Sequence, residues 1–278
     1  MTAGGQAPAG SPVVVAASLD NLRSDDVRFL EEASAFGPLH VRVPSDALVA
    51  ELTGSAPAFP AAERLFLAES IRWVTTAELV DRPVVHALDA LAAAGASVAV
   101  REEDEGPALR AAAAARSVPF RVVTRAARSG FPAFDPAPPP DGAPRVVVTG
   151  CYDWLHSGHI RFFMDAAAYG ALYAVVGSDR NVEFLKGPGH PLQREQERRY
   201  MVGSVRAVHR CLVSTGSGWM DAEPEIDEIR PTHYVVNEDG DQPDKRGFCR
   251  AHGIEYVVLR RLPHAGLPAR SSTELRGF

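Results

Sequence analysis

The chain has 278 residues, a formal net charge of −6 and 46% hydrophobic residues, which is length for one large or two ordinary cores. That acidic balance excludes a general nucleic-acid surface and leaves no basic stripe for a membrane, so an anionic ligand requires a local cluster of positive groups. Cys151, Cys211 and Cys249 show neither disulfide nor metal spacing, residues 1–12 have no signal-like start, and no run of about eighteen apolar residues occurs. The expectation is a cytoplasmic protein with a disordered tail over residues 1–12 and no membrane insertion.

In chain order, residues 13–46 open on VVV and carry a pattern that returns later. Residues 87–94 and 108–116 read as helices. Residues 126–144, AARSGFPAFDPAPPPDGAP, are dense in Pro, Ala and Gly and read as a semi-extended linker. Val146, Val147, Val148 and Thr149 form a β-branched run punctuated by Gly150, so a strand is followed by a turn. From His159 the apolar positions Ile160, Phe162, Phe163, Ala166, Ala167 and Tyr169 keep helical spacing up to Gly170, a C-terminal cap. Residues 172–176 form the next strand, followed by a helix over 195–208 and a strand over 234–237.

Residues 13–46 align without a gap on residues 146–179, and 15 of the 34 positions are identical. Later matches keep the register: Glu63-Arg64 with Glu197-Arg198, SVAVREEDEGP with HYVVNEDGDQP, and residues 118–125 with 254–261. Strands alternate with helices in both copies. The expected architecture is α/β: two tandem Rossmann-like, doubly wound parallel-sheet domains related by internal duplication, spanning residues 13–125 and 145–278.

The HSGH turn, His156 to His159, sits between a strand and a helix, where open α/β sheets bind ligands and helix amino ends attract phosphate. Two imidazoles can donate to phosphate oxygens, and Gly158 lacks the Cβ that would hold a triphosphate off the backbone. The first copy has Arg23, Asp25 and Asp26 in place of His156, Gly158 and His159. Each carboxylate there would repel a nearby phosphate charge by about 4 kcal/mol at about 4 Å and an effective dielectric near 20. The first copy therefore reads as degenerate.

GCYDWLHSGH resembles the GxFDxxHxGH block of the HxGH nucleotidylyltransferases. It matches through Gly150, Asp153, His156, Gly158 and His159, with Tyr152 in the usual Phe place. The chain is most similar to the cytidylyltransferase branch, which includes the glycerol-3-phosphate, phosphocholine and phosphoethanolamine enzymes, and to the ADP-heptose adenylyltransferase. The resemblance implies attack by a substrate phosphate on the α-phosphorus of a nucleoside triphosphate, with pyrophosphate leaving. It makes His156 and His159 the phosphate-binding, charge-stabilising groups. It also makes Lys186 the cation shared by acceptor and triphosphate; the first copy has Thr53 there.

Gly150, Tyr152 and Gly158 are expected to shape the nucleotide site. Arg198 in the family-like helix EQERRYMVGSVRAV is expected to hold the nucleotide, although its survival as Arg64 equally suits a structural ion pair. Asn237 and Gly240 distinguish NEDGDQP from its acidic counterpart, whose carboxylates recur as a solvated turn, and Asn237 is assigned to the nucleotide. Arg270, Ser271, Ser272 and Thr273 resemble the RTxGISTT signature with altered spacing, at a helix start suited to β- and γ-phosphates. Trp154, which is Asn21 in the first copy, suits core packing first and the substrate pocket, to which it is assigned as a candidate, second. Asp153 and Asp179, kept as Asp20 and Asp46, are expected to be structural, and Cys151 is expected to be inert without a basic partner.

The function expected is transfer of CMP from CTP to a small phosphomonoester or phosphonate. The Mg²⁺ ion arrives with the triphosphate, without a protein metal cage. The first half then serves as an intrachain stand-in for a second subunit. The alternatives are an ATP-using adenylyltransferase of the ADP-heptose type and a non-catalytic nucleotide sensor or scaffold.

Overall fold

A computed structural model describes residues 10–271. Most of the expected tail, Ser272, Thr273 and the short helical segment expected after them lie outside those residues. The chain divides into two compact units, Met1–Gly130 and Phe131–Phe278.

In the first unit the order is β1 (Val13–Ala16), α1 (Ser24–Ser34), β2 (Leu39–Pro44), α2 (Asp46–Thr53), α3 (Ala61–Ser70), β3 (Val74–Val80), α4 (Leu88–Ala93), β4 (Ser97–Arg101), α5 (Pro107–Ala114) and β5 (Phe120–Val123). Val13, Val14 and Val15 are all buried although their side chains alternate across the sheet, which marks a strand covered on both faces, as in a parallel α/β sheet. The sheet order is β3-β2-β1-β4-β5 and its pairings are parallel. Right-handed crossovers that leave a central strand in both directions set helices on both faces.

The second unit runs β6 (Arg145–Gly150), α6 (Ser157–Ala167), β7 (Ala171–Val176), α7 (Asp179–Lys186), α8 (Glu195–Gly203), β8 (Arg210–Val213), α9 (Glu223–Ile229), β9 (His233–Asn237), α10 (Pro243–His252) and β10 (Glu255–Leu259). Its order, β10-β9-β6-β7-β8, is again parallel. Counted from its own first strand, each sheet has the order third, second, first, fourth, fifth. β6 lies between β7 and β9, so its carboxyl end opens at the point where the winding reverses, the usual ligand crevice of such sheets.

Three local expectations shift. The helix expected over 195–208 ends at Gly203, because Ser204 turns its hydroxyl back to the Met201 carbonyl at 2.6 Å. Val205 and Val208 are buried from the following turn, which prolongs helical spacing without a helix. The segment expected at 87–94 enters through a 3₁₀ turn, Val84–Ala87. The start of the expected linker is packed: Arg128 is buried and pairs with Asp25 and Glu103. Among the described residues no helix is long and apolar enough to cross a membrane.

Candidate active site

The HSGH turn is the start of α6. His156 is its N-cap, in extended conformation, and its Nδ1 accepts the Gly158 amide at 3.1 Å. An acceptor Nδ1 fixes the neutral tautomer with hydrogen on Nε2. That Nε2 is buried and has no partner. Burial, then the charges of His159, Arg261 and Arg270, lower the His156 pKa to about 2. The ring therefore presents a neutral N–H donor near neutral pH.

His159 is partly exposed, but its Nδ1 is buried and unpartnered. Burial and Arg261 lower its pKa to about 3, opposed by a hydrogen bond to the Trp154 backbone. A Cβ on Gly158 would stand 3.0 Å from His156 Nδ1 and Cε1, so this glycine first makes room for the cap.

The turn before α6 is shaped by packing. Tyr152 adopts φ 51°, is buried, and places its ring over Gly150, where a Cβ would meet Cζ at 2.7 Å. The ring contacts His159 and Phe163 edge-on, with centroids 5.3 and 5.1 Å apart. Gly150 and Tyr152, expected beside the nucleotide, thus form a floor under His159, and the space over Gly150 is taken by an aromatic ring.

Two cavities flank the end of β6. One of about 150 Å³ is lined by His156, Gly158, His159, Asn237, Arg261 and Lys245, among others. The other, about 180 Å³, is lined by Gly150, Cys151, Lys186, Trp219, Asp221 and Lys245, among others. Thr149 and Lys245 line both. Lys186 and the imidazoles therefore approach from opposite sides of a Thr149–Lys245 partition. Cys151 does have a basic neighbour, Lys186, contrary to expectation, yet burial outweighs it and pushes the thiol pKa up.

Arg261 pairs with Asp239 and donates from Nη2 to the Arg270 carbonyl at 3.0 Å. That carbonyl lies 3.5 Å from where a Gly158 Cβ would stand, so the segment ending in Arg270 and Ser271 closes on the start of α6. Asn237 ends β9 and faces the imidazole cavity.

Arg198 does not reach either cavity. It is fully buried and donates to the Gln193 carbonyl (2.9 Å), the Cys151 carbonyl (2.8 Å) and Asp179 (2.8 Å). Its nucleotide-binding assignment is corrected to a brace under the turn, because a guanidinium without exposed surface has no route to a ligand. Asp153 accepts the Leu192 and Gln193 amides, the structural role expected of it. Trp154 is half-buried and lies outside the lining of both cavities; the tryptophan facing the second one is Trp219.

At the corresponding place in the first unit, Asp26 pairs with Arg101 and caps the Arg23 amide, and Arg128 pairs with Asp25 and Glu103. Carboxylates and guanidinia neutralise one another there. Lys245, Arg261 and Trp219 were not singled out by motif. Lys245 had one available signal, since Leu109 stands at its matched position. Among the described residues no group of three or more His, Cys, Asp or Glu is placed to hold a metal ion.

Residues 147–276 match the family described as Cytidylyltransferase-like. A FAD synthase of Aciduliprofundum boonei is 34% identical over 119 residues, 42% of this chain and 76% of that protein. The bifunctional protein HldE of Azotobacter vinelandii is 34% identical over 133 residues, 46% of this chain but 26% of that protein. The match thus spans about a quarter of that longer relative. The lipopolysaccharide core biosynthesis protein of Thermoplasma volcanium aligns with 44% of this chain and 99% of its own, at 22% identity and a TM-score of 0.37.

Proposed function

Since the chain belongs to the cytidylyltransferase-like family of nucleotidyltransferases, we propose that its second unit transfers CMP from CTP to a small phosphomonoester or phosphonate and releases pyrophosphate. The observation that carries this reading is the pair of neutral, stacked imidazoles at the start of α6, each with an unpartnered ring nitrogen. Neutral N–H donors at the start of a helix bind phosphate oxygens. An acceptor oxygen attacks the α-phosphorus, the bond to the bridging oxygen of the β-phosphate breaks, and pyrophosphate leaves with the electron pair. The protein aligns the reactants and stabilises charge. His156 and His159 act on the triphosphate, Lys186 on the acceptor side, and Asn237, Arg270 and Ser271 on the nucleotide. A Mg²⁺ ion would come with the triphosphate and would supply charge neutralisation there.

ATP is a second reading because the product named for the Aciduliprofundum boonei relative, FAD, contains an adenylyl group.

Internal duplication is part of the proposal. Arg64 donates to the Phe59 and Ser18 carbonyls and to Asp46, the counterparts of the Arg198 bonds. Leu19 and Tyr152 share φ values of 52° and 51°, and Gly37 and Gly170 values of 153° and 150°. Arg110 and Arg246 each bind an acid five residues earlier and cover an aromatic ring. The first unit is on this reading a copy that has exchanged its phosphate donors for ion pairs.

The test is pyrophosphate release with CTP and ATP against a panel of phosphorylated and phosphonate small molecules. Turnover that His159→Ala abolishes without unfolding supports the reading. Full activity in that variant overturns it, and tight nucleotide binding without turnover by any pair favours a sensor.

A further inference from the structure

Among the described residues, one buried cation without an ion pair has no part in the reaction as described. Lys245, in the first turn of α10, is 8% exposed. Its Nζ lies 3.5 Å from Thr149 Oγ1 and 5.7 Å from the centroid of the Tyr234 ring. Among the described residues it has no ion pair. Asp221, whose charge acts on it, accepts a hydrogen bond from Ser214 at 2.6 Å. A buried ammonium held by one long hydrogen bond and a distant ring is a poor stabilising arrangement.

The fold itself does not require the charge. At the matched position in the first unit stands Leu109, packed against the cluster of Leu88, Val98, Ala113 and Val118. An apolar side chain satisfies the same helix over the same strand pair. The ammonium is present in the copy that has imidazoles and absent from the copy that has carboxylates.

Its location supplies the reason. Lys245 and Thr149 line both cavities, the one with His156 and His159 and the one with Lys186 and Trp219. We propose that Lys245 is a catalytic residue of the transfer: its ammonium contacts both the attacking phosphate or phosphonate oxygen in the Trp219 cavity and the α-phosphate in the imidazole cavity.

This inference rests on the nucleotidyl-transfer reading. The new bond joins the acceptor oxygen to the α-phosphorus, and the bond broken joins that phosphorus to the oxygen bridging to the β-phosphate. Pyrophosphate takes the electron pair, and a dianionic acceptor gives up no proton. Two anions must approach each other before that bond forms, and negative charge then collects on the non-bridging α-oxygens. A cation in the partition opposes the repulsion and meets the developing charge, in a site dry enough for it to count. Lys186 lines the Trp219 cavity alone of the two, although its charge acts on His159, and Lys245 lines both, so the two lysines are not redundant.

The experiment compares wild type with Lys245→Leu, the residue of the matched position, in pyrophosphate release with CTP, ATP and the acceptor panel, alongside equilibrium binding of each triphosphate and thermal melting. The expected result is a melting temperature equal to or above that of wild type and a fall in kcat of about a hundredfold or more. Triphosphate Kd is expected to change by less than about tenfold. Should Lys245→Leu not fold, Lys245→Met, uncharged and near in shape, carries the same comparison. An active wild type with a folded variant whose kcat is unchanged, or whose loss is confined to triphosphate affinity, overturns this inference and leaves the functional reading standing. A wild type inert with every pair overturns both.

Discussion

The imidazoles of His156 and His159 stack with ring centroids 3.9 Å apart and planes 23° apart. Charging one ring disfavours charging the other, which adds to burial in holding both neutral. Their folded pKa values, about 2 and about 3, lie below the ordinary 6.5. Between those limits the unfolded chain binds more protons, so stability rises with pH. The contribution is complete above about pH 6.5 and is lost as pH falls through the window, by at most about 1.4 kcal/mol per pH unit for each ring. Urea melts from pH 7.5 to 5 are expected to show a shallower slope for His156→Asn, whose side chain can still cap α6, than for wild type. Parallel slopes would show that the rings are not held neutral.

Gly158 is where cap and catalysis conflict. Alanine there favours the helix by about 0.5–1 kcal/mol. Its Cβ would sit 3.0 Å from the His156 ring, and loss of the cap costs about 0.5–2 kcal/mol. The two nearly cancel, so Gly158→Ala is expected to melt close to wild type. The displaced Nε2 is expected to slow turnover by about tenfold to a hundredfold. A variant with normal kcat would mean that the ring's position is not critical.

Arg198 and Arg64 brace equivalent turns, and their alanine variants are expected to behave alike. Each leaves carbonyls and a carboxylate without donors, at a cost of about 3 kcal/mol or more. Chemical denaturation of both variants checks this. For Arg198→Ala, triphosphate affinity measured where the variant is still folded should match wild type. A stable Arg198→Ala that has lost affinity would restore the nucleotide-binding role.

How far these features were legible follows from what each depends on. The VVV runs and their recurrence mark doubly buried parallel strands, and the HSGH turn between strand and helix is a local pattern, so both show in the sequence. The start of α6 was misplaced because a histidine caps it, whereas Ser, Thr, Asp and Asn are the usual signals. The two units differ at the imidazoles and agree at Asp153, whose carboxylate accepts backbone amides as expected, and Arg198, matched by Arg64, has a structural role too, through its three bonds. Agreement does not imply this at Arg261: its counterpart Arg125 is retained, yet Arg261 faces the imidazole cavity. Lys245 carries no local signal, since its burial is created by packing of α10 over β6 and β9. Trp154 stands beside the motif in sequence, whereas the tryptophan that lines a cavity, Trp219, comes from the loop after β8.

Trp219 offers a test of which cavity takes the acceptor. It lines the cavity with Lys186 and is absent from the lining of the imidazole cavity. At 60% exposed it has little core to hold together, so Trp219→Ala is expected to leave the melting temperature unchanged. If the acceptor binds there, removing the ring takes away apolar contact with the acceptor alone. The expected outcome is a rise in acceptor KM of about tenfold, with triphosphate KM unaltered and kcat reduced far less than in the Lys245 and His159 variants. Initial rates with each substrate varied in turn resolve the two constants. Equal rises in both, or a change confined to the triphosphate, would reverse the assignment and put the nucleotide in the Trp219 cavity.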